Sequence, residues 1–239
     1  ARAVPTINVN PTASNINYGQ ALANSTLSGG SASVPGSFSF EDGNIIPIAG
    51  SSSQNVVFTP TDTANFSPIV IPIPVFARPF ATSDDSGLAG EAGGVANAIS
   101  GFEVHGNVIS NDINYEGSSL TISAISNSGG PGTVGSAFVG NYGSLTIQSN
   151  GDYVYSVANN NSTVEALQQN GSLTESFTYS VTNGAFTDTG ILLVTIQGAN
   201  DAPTFSNLSG GTIKQGLEDT ETAITLADIQ VRGNAADID

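Results

Sequence analysis

The chain has 239 residues, a formal net charge of −16 and no cysteine, methionine or tryptophan. The lack of cysteine excludes disulfide bonds, thiol nucleophiles and thiolate zinc sites. Four Lys and Arg against twenty Asp and Glu leave no basic face for nucleic acid or anionic lipid, and they favour a divalent cation as a partner. The alternative explanation of the acidity is solubility alone.

Residues 1–78 are predicted to form a small β-domain, because short apolar runs alternate there with glycine- and proline-containing turns. The last run contains Pro72 and Pro74, which favours an edge strand or a stiff extended connector over a central strand. Only three carboxylates occur in this region, so no calcium cluster is expected inside the domain. The predicted strands span residues 6–9, 37–40, 54–60 and 69–76.

Three motifs in this first region resemble a known module. They are Tyr18-Gly19-Gln20, Leu27-Ser28-Gly29-Gly30 and the run FTPTDTANF at 58–66. Together they resemble the MBG module of bacterial surface proteins over about residues 10–76. The resemblance implies an Ig-like sandwich that acts as a spacer or adhesive unit and has no catalytic activity.

Residues 79–203 contain eleven carboxylates and no Lys or Arg, so their charges are either solvated or bound to metal. Two runs, at 177–181 and 192–196, alternate strictly between apolar and polar residues. This pattern predicts two long antiparallel strands that each bury one face. One helical turn is predicted, with Ser162 as its N-cap and Glu165 at the capping-box position. The predicted strands are 119–125, 133–139, 143–148, 152–156, 175–181 and 187–196.

The motifs of this second region follow one another in the order of the VCBS repeat. They are YGSLTI at 142–147, NGDYVY at 150–155, VEAL at 164–167 and TESFTY at 174–179. The ending GANDAP at 198–203 resembles the joint that is found in both cadherin-like and VCBS repeats. The motif GNVISND at 106–112 resembles the start of a cadherin-like adhesin domain. The resemblance implies an all-β chain of tandem Ig-like/cadherin-like antiparallel β-sandwiches from a large adhesin of the RTX type.

Residues 204–239 resemble the first third of a further cadherin-like repeat. A segment of this length cannot bury an independent core, so we expect the sequence to be a piece of a longer chain. No apolar run is long enough for a membrane span, and no signal peptide is evident at Ala1. The predicted domains are therefore 1–78, 79–203 and a truncated third unit at 204–239.

Three groups of side chains have the composition of a calcium site, which takes roughly six to eight oxygens from carboxylates, amides and carbonyls. The second group departs from the usual Asp-x-Asp-x-Asp-Gly of cadherin-like domains, because Asn and Glu replace two of its aspartates. The resemblance implies that Ca²⁺ at the third group stiffens a joint between domains. The groups are Asp84 and Asp85 with Glu91 nearby; Asp112, Asn114 and Glu116; and Asn200 and Asp201 with Glu218, Asp219, Asp237 and Asp239.

No catalytic or cofactor-binding residue is predicted. His105 is the only histidine, and no Gly-x-Ser-x-Gly motif accompanies it, so an exposed or hydrogen-bonded strand histidine is expected. A glycosidase carboxylate pair is not excluded by spacing, but the chain has no tryptophan to form a sugar platform. Asp188, near the start of a predicted strand, is interpreted as a solvated edge charge.

The sequence therefore predicts a non-catalytic extender or adhesive segment of a large, repeat-built, secreted or surface-attached bacterial adhesin. Calcium is the predicted ligand of its joints. The alternative function is a module that itself binds a cell-surface glycan or protein, including a second copy of the same protein. An accessory domain of an enzyme is the third class, and neither nucleic acid nor membrane insertion is expected.

Overall fold

The computed structural model describes residues 1–94 and 97–201, together with the backbone of 204–205 and 235–236. Its regular structure is almost entirely β-strand, which confirms the predicted all-β class. In the first part of the chain the strands are β1 (Ile7–Val9), β2 (Thr12–Ala13), β3 (Ile16–Asn17), β4 (Leu27–Ser28), β5 (Ser31–Ala32), β6 (Gly36–Phe40), β7 (Gly50–Pro60) and β8 (Ile69–Arg78), with a 3-10 helix at Leu22–Asn24.

The remaining strands continue the series through two sheets and several short pairings. They are β9 (Phe80–Ala81), β10 (Asp85–Gly90), β11 (Val104–Asn107), β12 (Ile113–Asn114), β13 (Thr121–Asn127), β14 (Gly130–Gly132), β15 (Phe138–Val139), β16 (Gly143–Ile147), β17 (Asp152–Val157), β18 (Ser172–Thr182), β19 (Thr187–Gln197), β20 (Thr204–Phe205) and β21 (Ala235–Ala236). One short α-helix, α1, spans Ser162–Glu165.

The chain divides into two compact units. Unit 1 consists of Ala1–Ser83, Asn111–Leu120 and Thr182–Asp188, and unit 2 of Asp84–Ser110, Thr121–Val181 and Thr189–Asp239. Unit 1 thus includes two loops from the range predicted as the second domain. The predicted boundaries after residues 78 and 203 stay predictions, and of the third predicted unit only the antiparallel pairing of β20 with β21 lies within the described residues.

Unit 1 is built on one four-stranded sheet in the order β3-β8-β7-β6. β7 and β8 are antiparallel from Gly50↔Ala77 to Phe58↔Ile69, and β3 joins β8 in parallel at Ile16 and Asn17. Three smaller sheets, β1-β5, β2-β4 and β9-β12, also belong to this unit. Ile16 on β3, Val75 and Ala77 on β8, and Leu22 of the 3-10 helix form a buried cluster.

The proline-rich strand β8 carries its prolines on the solvent face. Pro72 and Pro74 are exposed, whereas Ile73 and Val75 are buried. Among the described strands, β7 is the only neighbour of β8 until β3 joins at Ala77. The edge-strand prediction is therefore confirmed over the proline-containing part, because an open edge needs no N–H from these positions.

Unit 2 is a sandwich of a five-stranded sheet, β10-β19-β18-β13-β14, and a four-stranded sheet, β11-β17-β16-β15. The ring of Tyr155 on β17 meets Phe177 on β18 at a centroid distance of 6.1 Å, so the two sheets face each other through their side chains. β10 runs parallel to β19, with Asp85 opposite Leu192 and Gly90 opposite Gln197. The alternating residues of β18 and β19 are fully buried, as predicted: Phe177, Tyr179, Val181, Leu192, Val194 and Ile196.

Two local predictions in unit 2 are wrong. The N-cap of α1 is Asn161, whose side chain accepts the N–H of Thr163 at 2.9 Å, so Ser162 is already the first helical residue. The predicted strand at 133–139 forms only at its end, as β15, because Gly135 interrupts the run with a φ of 79°. Short strands such as β10 and β11 were not predicted, since their glycines obscure the alternation of apolar and polar residues.

In unit 1, Phe186 packs against a glycine that has no room for a side chain. Gly50 has a φ of 88°, and a Cβ at this position would lie 2.3 Å from the Cζ atom of Phe186. Phe186 also meets Phe76 edge to face, with ring centroids 6.1 Å apart. Loop Thr182–Asp188 is thereby fixed to the end of the β7–β8 pair.

We expect Gly50→Ala to reduce the free energy of unfolding more than Gly19→Ala does. Gly19 has nearly the same φ, 89°, but a Cβ there would meet no atom within 4 Å, so its substitution costs only the left-handed conformation, about 1–2 kcal/mol. Calorimetric unfolding of both variants separates the cost of the clash with Phe186 from the cost of the left-handed backbone conformation. In a Phe186→Leu background the difference should shrink, and equal losses in the parent background would contradict the packing role of Phe186.

Candidate functional site

The first predicted metal group acts within unit 2 as a pair of hydrogen-bond acceptors. Asp84 Oδ1 accepts the N–H of Ile191 at 2.9 Å, and Asp85 Oδ2 accepts the hydroxyl of Tyr179 at 2.6 Å. Burial, together with the negative charge of Asp85, raises the pKa of Tyr153. The two aspartates therefore connect the start of β10 to β19 and β18.

The second group closes a loop of unit 1. Asp112 Oδ1 accepts the N–H of Ser83 at 2.9 Å, and Asn114 Oδ1 accepts the N–H of Gly117 at 2.9 Å. Glu116 Oε2 accepts the side-chain amide of Asn183 at 3.0 Å. Each of these side chains thus has a hydrogen-bonding role of its own in this loop.

Asp188 belongs to the same region, and its predicted role as a solvated edge charge is wrong. It is half-buried, and its Oδ2 accepts the N–H of Thr82 at 3.1 Å. Asp188 and Asp112 thus hold the consecutive N–H groups of Thr82 and Ser83. Such backbone-to-carboxylate bonds are stronger than neutral ones, so they define the path of this segment.

The third group lies where the described part of unit 2 ends. Asp201 is 3% exposed and forms a parallel β-bridge with Gly94. The carbonyl of Asn200 accepts the N–H of Gly94 at 2.9 Å, and the Asn200 side chain donates to the carbonyl of Asp201 at 2.9 Å. The other predicted members, Glu218, Asp219, Asp237 and Asp239, lie outside the described residues.

The structure adds Glu91 to this third group. Glu91 is 4% exposed, its Oε1 accepts the N–H of Ala199 at 2.7 Å, and its own N–H donates to the carbonyl of Gln197 at 3.0 Å. Gly93 permits the close approach, since a Cβ there would lie 2.9 Å from the carbonyl oxygen of Asn200. We call Glu91, Asn200 and Asp201 the joint cluster.

Amide side chains surround the joint cluster. Asn159 Oδ1 accepts the N–H of Ala92 at 2.8 Å, which fixes the residue after Glu91. Asn97 has a φ of 59° and donates through Nδ2 to Glu165 Oε1 at 2.7 Å and to the carbonyl of Asn159 at 3.2 Å. Glu165, predicted as a capping residue, is therefore held by a different loop.

The joint cluster offers oxygen atoms only, from two carboxylates, an amide and backbone carbonyls. This is the donor set that hard cations such as Ca²⁺ prefer, and it suits neither zinc nor copper. Within the part of the chain that the structure describes, no three His, Asp or Glu side chains converge closely enough to hold a metal by themselves. A bound cation would thus need further oxygens from backbone, water or residues after 201.

A family model described as "Bacterial cadherin-like domain" matches residues 77–198, which is more than half of the chain. The chain belongs to the bacterial cadherin-like domain family. The matched range takes in β10 to β19 and ends at Gly198, two residues before Asn200 of the joint cluster. The family is non-catalytic. No finding supports the predicted MBG module or an RTX context.

Solved structures with detectable similarity are distant. Drosophila N-cadherin EC1-4 is 10% identical, with 85% of this chain and 53% of that chain covered and a TM-score of 0.35. A variant of an endo-fucoidan hydrolase from glycoside hydrolase family 107 is 14% identical, with 84% and 26% covered and a TM-score of 0.27. The N-terminal four Ig domains of Dscam1 isoform 1.9 are 8% identical, with 85% and 55% covered and a TM-score of 0.29.

These likenesses support no inference about binding or activity. The chain spans about a quarter of the hydrolase and about half of the cadherin fragment it matches. No protein with curated annotation matches the sequence significantly. Among the described residues, no helix has the length and apolar character needed to cross a membrane.

The core of the cadherin-like domain contains a third buried carboxylate, Glu175, which the sequence analysis missed. It is 7% exposed and accepts the hydroxyl of Tyr155 through Oε1 and the N–H of Asn141 through Oε2, the latter at 2.8 Å. Burial and the bond to Glu175 raise the pKa of Tyr155 far above its usual value. The sequence did contain a signal for this burial. Glu175 lies two residues before Phe177, so the alternation of the strand places it on the same inward face as residues 177, 179 and 181.

His105 lies on β11 as an exposed strand histidine, which confirms the prediction for this residue. Its side chain is 65% exposed, and Nε2 lies 3.6 Å from Glu103 Oε2. An exposed pair of this kind contributes little to stability.

We expect Tyr155→Phe to destabilise unit 2 by about 1–3 kcal/mol, because it leaves a buried carboxylate oxygen without its donor. Tyr142→Phe is the matched control, since the Tyr142 hydroxyl makes no hydrogen bond to a described residue and lies in the same unit. Chemical denaturation of the three proteins measures the difference. Equal stability of Tyr155→Phe and the parent would show that the bond contributes nothing net.

Alkaline pH should unfold the domain as Tyr155 is forced to ionise. The unfolded chain releases this proton near pH 10.0, whereas the folded chain retains it, so stability is complete below pH 10 and falls as the pH rises further. Ultraviolet titration of tyrosinate should therefore show a late step that coincides with loss of circular dichroism. Tyr155→Phe should shrink that step, and ionisation of all six tyrosines in the folded state would contradict the expectation.

Proposed function

We propose that this chain is a non-catalytic extender or adhesive segment of a large, repeat-built, secreted or surface-attached bacterial protein, in which calcium stiffens the joint after the cadherin-like domain. The family match supports the domain type, and bacterial cadherin-like domains occur in extracellular or surface proteins. The single observation behind the calcium proposal is the burial of two carboxylates, Glu91 and Asp201, on adjoining backbone segments at the exit of that domain.

Burial of two ionised carboxylates on adjoining backbone segments costs free energy. Removal from water and mutual repulsion both disfavour the ionised forms, and a divalent cation relieves both effects at once. The backbone contributes by holding the segments 91–94 and 199–201 together through hydrogen bonds of Glu91 and Gly94. The backbone positions of the proposed ligands are thus held together by the sandwich, which supports the proposal.

The proposed calcium ligands are the joint cluster together with the acidic residues predicted after it. Glu91, Asn200 and Asp201 supply the side from the cadherin-like domain, and Glu218, Asp219, Asp237 and Asp239 are proposed for the other side. The groups at Asp84 and Asp85 and at Asp112, Asn114 and Glu116 stay predicted sites. Their oxygens already accept hydrogen bonds, but a carboxylate oxygen has a second lone pair for a cation.

A calcium-filled joint would act mechanically. The proposed ligands come both from the end of one domain and from the residues that follow it. Bending at the joint would therefore weaken metal–ligand bonds, so the segment would hold a more distant part of the protein at a fixed distance. Calcium binds the folded site and hardly the unfolded chain, and this stabilises the fold by about 2.7 kcal/mol per site at about a hundred times the dissociation constant.

We expect calcium to raise the melting temperature of unit 2 by several degrees over chelator, and magnesium to do less, because Mg²⁺ demands a tighter octahedral shell. Asp201→Asn and Glu91→Gln should each lose most of this calcium-dependent gain. Asp152→Asn is the control with the same charge change, since Asp152 is an exposed residue bonded to Asn107 and Asn150.

Melting series in chelator, calcium, magnesium and sodium chloride distinguish coordination from charge crowding. Salt screens repulsion but supplies no ligand, so it should recover only part of the loss in chelator. Identical melting in chelator and calcium would refute the calcium proposal. Full recovery by salt alone would mean that the acidic surface serves solubility.

A further inference from the structure

A polar cleft of about 330 Å³ lies on unit 2, beside the hairpin that connects Gly90 with Phe102. Its size falls at the lower end of small-molecule sites, roughly 300–1,000 Å³. The residues that matter for its chemistry are Asn97, Ser100, Phe102, Glu103, Ser156 and Asn159, and we call it the Phe102 cleft. The structural role of the joint cluster does not account for it.

Asn97, one of the residues that line the cleft, carries an acceptor that the described residues leave unused. Asn97 Oδ1 is buried and has no hydrogen-bond partner among the described residues, while Nδ2 of the same amide is committed to Glu165 and to the carbonyl of Asn159. The two Nδ2 bonds determine which way the amide points, and they leave Oδ1 as a buried acceptor in a residue that lines the cleft. A buried acceptor without a donor is costly, and a hydroxyl from water or a ligand removes that cost.

The second acceptor is the carboxylate of Glu103. Its Oε1 accepts the hydroxyl of Ser156 from the neighbouring strand β17, which restrains the side chain at the cleft. Hydrogen bonds to an ionised acceptor are about twice as strong as neutral ones. Glu103 also excludes anionic ligands from the cleft, in keeping with the absence of Lys and Arg between residues 79 and 203.

The rim of the cleft carries an aromatic platform. The side chain of Phe102 is 51% exposed, although its backbone is fixed. Its N–H donates to the carbonyl of Gly90, and its carbonyl accepts the N–H of Gly90, both at 3.0 Å. Its ring lies across the backbone of Gly90, where a Cβ would be only 2.2 Å from the ring. One face of the ring is therefore covered by the glycine, and the ring is presented in a defined orientation.

We propose that the Phe102 cleft binds an uncharged hexopyranoside. A pyranose ring has an apolar C–H face that packs on a phenyl ring, and hydroxyls around its edge that donate to acceptors such as Asn97 Oδ1 and Glu103. An apolar ligand would leave both acceptors unsatisfied, and a phosphate or uronate would be repelled by Glu103. The chain has no tryptophan to form a sugar platform, and Phe102 fills that role.

This inference does not depend on calcium at the joint. The two sites are neighbours, because Gly90 and Ala92, which flank Glu91, line the cleft, but neither Phe102 nor Glu103 belongs to the joint cluster. The affinity of one such cleft is expected to be weak, in the millimolar range, because only two or three polar contacts and one ring face are available. Repetition of the module along a chain would raise the avidity.

The test is a titration of the ¹⁵N-labelled 239-residue chain with the methyl glycosides of glucose, galactose and mannose, followed by amide chemical shifts. Binding of at least one glycoside should shift amides within 90–103 and 156–159, and methyl glucuronide should shift none of them. Phe102→Ala and Glu103→Gln should each weaken binding by about tenfold or more. Glu41→Gln, an exposed Glu in unit 1 bonded to Asn55, is the matched control and should bind like the parent.

The titration is repeated in calcium and in chelator, so that a failure of glycoside binding can be distinguished from a failure of calcium binding. Cleft shifts with a neutral glycoside in either buffer support the inference. It is overturned if none of the three glycosides shifts the cleft amides, if methyl glucuronide binds as well as they do, or if Glu103→Gln binds unchanged. Glu103→Gln keeps size and exposure, so it reports on the cleft even if Phe102→Ala fails to fold.

Discussion

The packing of the inward faces of β18 and β19 is the constraint on which the rest of the cadherin-like domain depends. Six alternating side chains of these strands are completely buried, from Phe177 to Ile196. A slip of one residue would turn all of them to solvent, so the register of both strands is strongly determined. Since β10 follows β19 in parallel register up to Gly90 opposite Gln197, Glu91 has to emerge beside Ala199. The position of the joint cluster is thus a consequence of core packing.

Among the described residues of unit 2, three carboxylates are buried, and they differ in what surrounds them. Glu175 lies in the core, and both of its oxygens accept hydrogen bonds from within the domain, one from Tyr155 and one from Asn141. Such an arrangement of satisfied hydrogen bonds specifies how the two sheets meet. Glu91 and Asp201 lie instead where the chain leaves the sandwich, which is where the proposed cation and the following residues would arrive.

The two proposed sites illustrate how a spacer domain can also carry recognition. The joint cluster uses the ends of strands, whose positions are defined by the core. The Phe102 cleft uses the paired segments around Gly90 and Phe102, and Gly90 and Ala92 in its lining flank Glu91 of the joint cluster. A rigid framework thus presents two kinds of polar group, and neither requires a catalytic residue.

Strict alternation determined much from the sequence alone. The runs at 177–181 and 192–196, the edge character of the strand with Pro72 and Pro74, and the all-β class follow from side-chain periodicity and from the missing N–H of proline, which are local properties. The motifs at 106–112 and 198–203 also pointed to the cadherin-like family, whereas the motif order in 142–179 was predicted to be that of a VCBS repeat. The acidic residues were recognised as oxygen donors, because residue type alone decides which metals they suit.

Only the tertiary structure decided which of these donors lie together. Glu91 is six residues from Asp85 in sequence, yet it contacts the segment 199–201, because the parallel register of β10 with β19 carries it there. The same holds for Asn161, which caps α1 in place of Ser162, and for Glu175, whose burial is tolerated because Tyr155 and Asn141 approach from other strands. Pairings between distant segments depend on how the sheets pack, and periodicity contains no information about that packing.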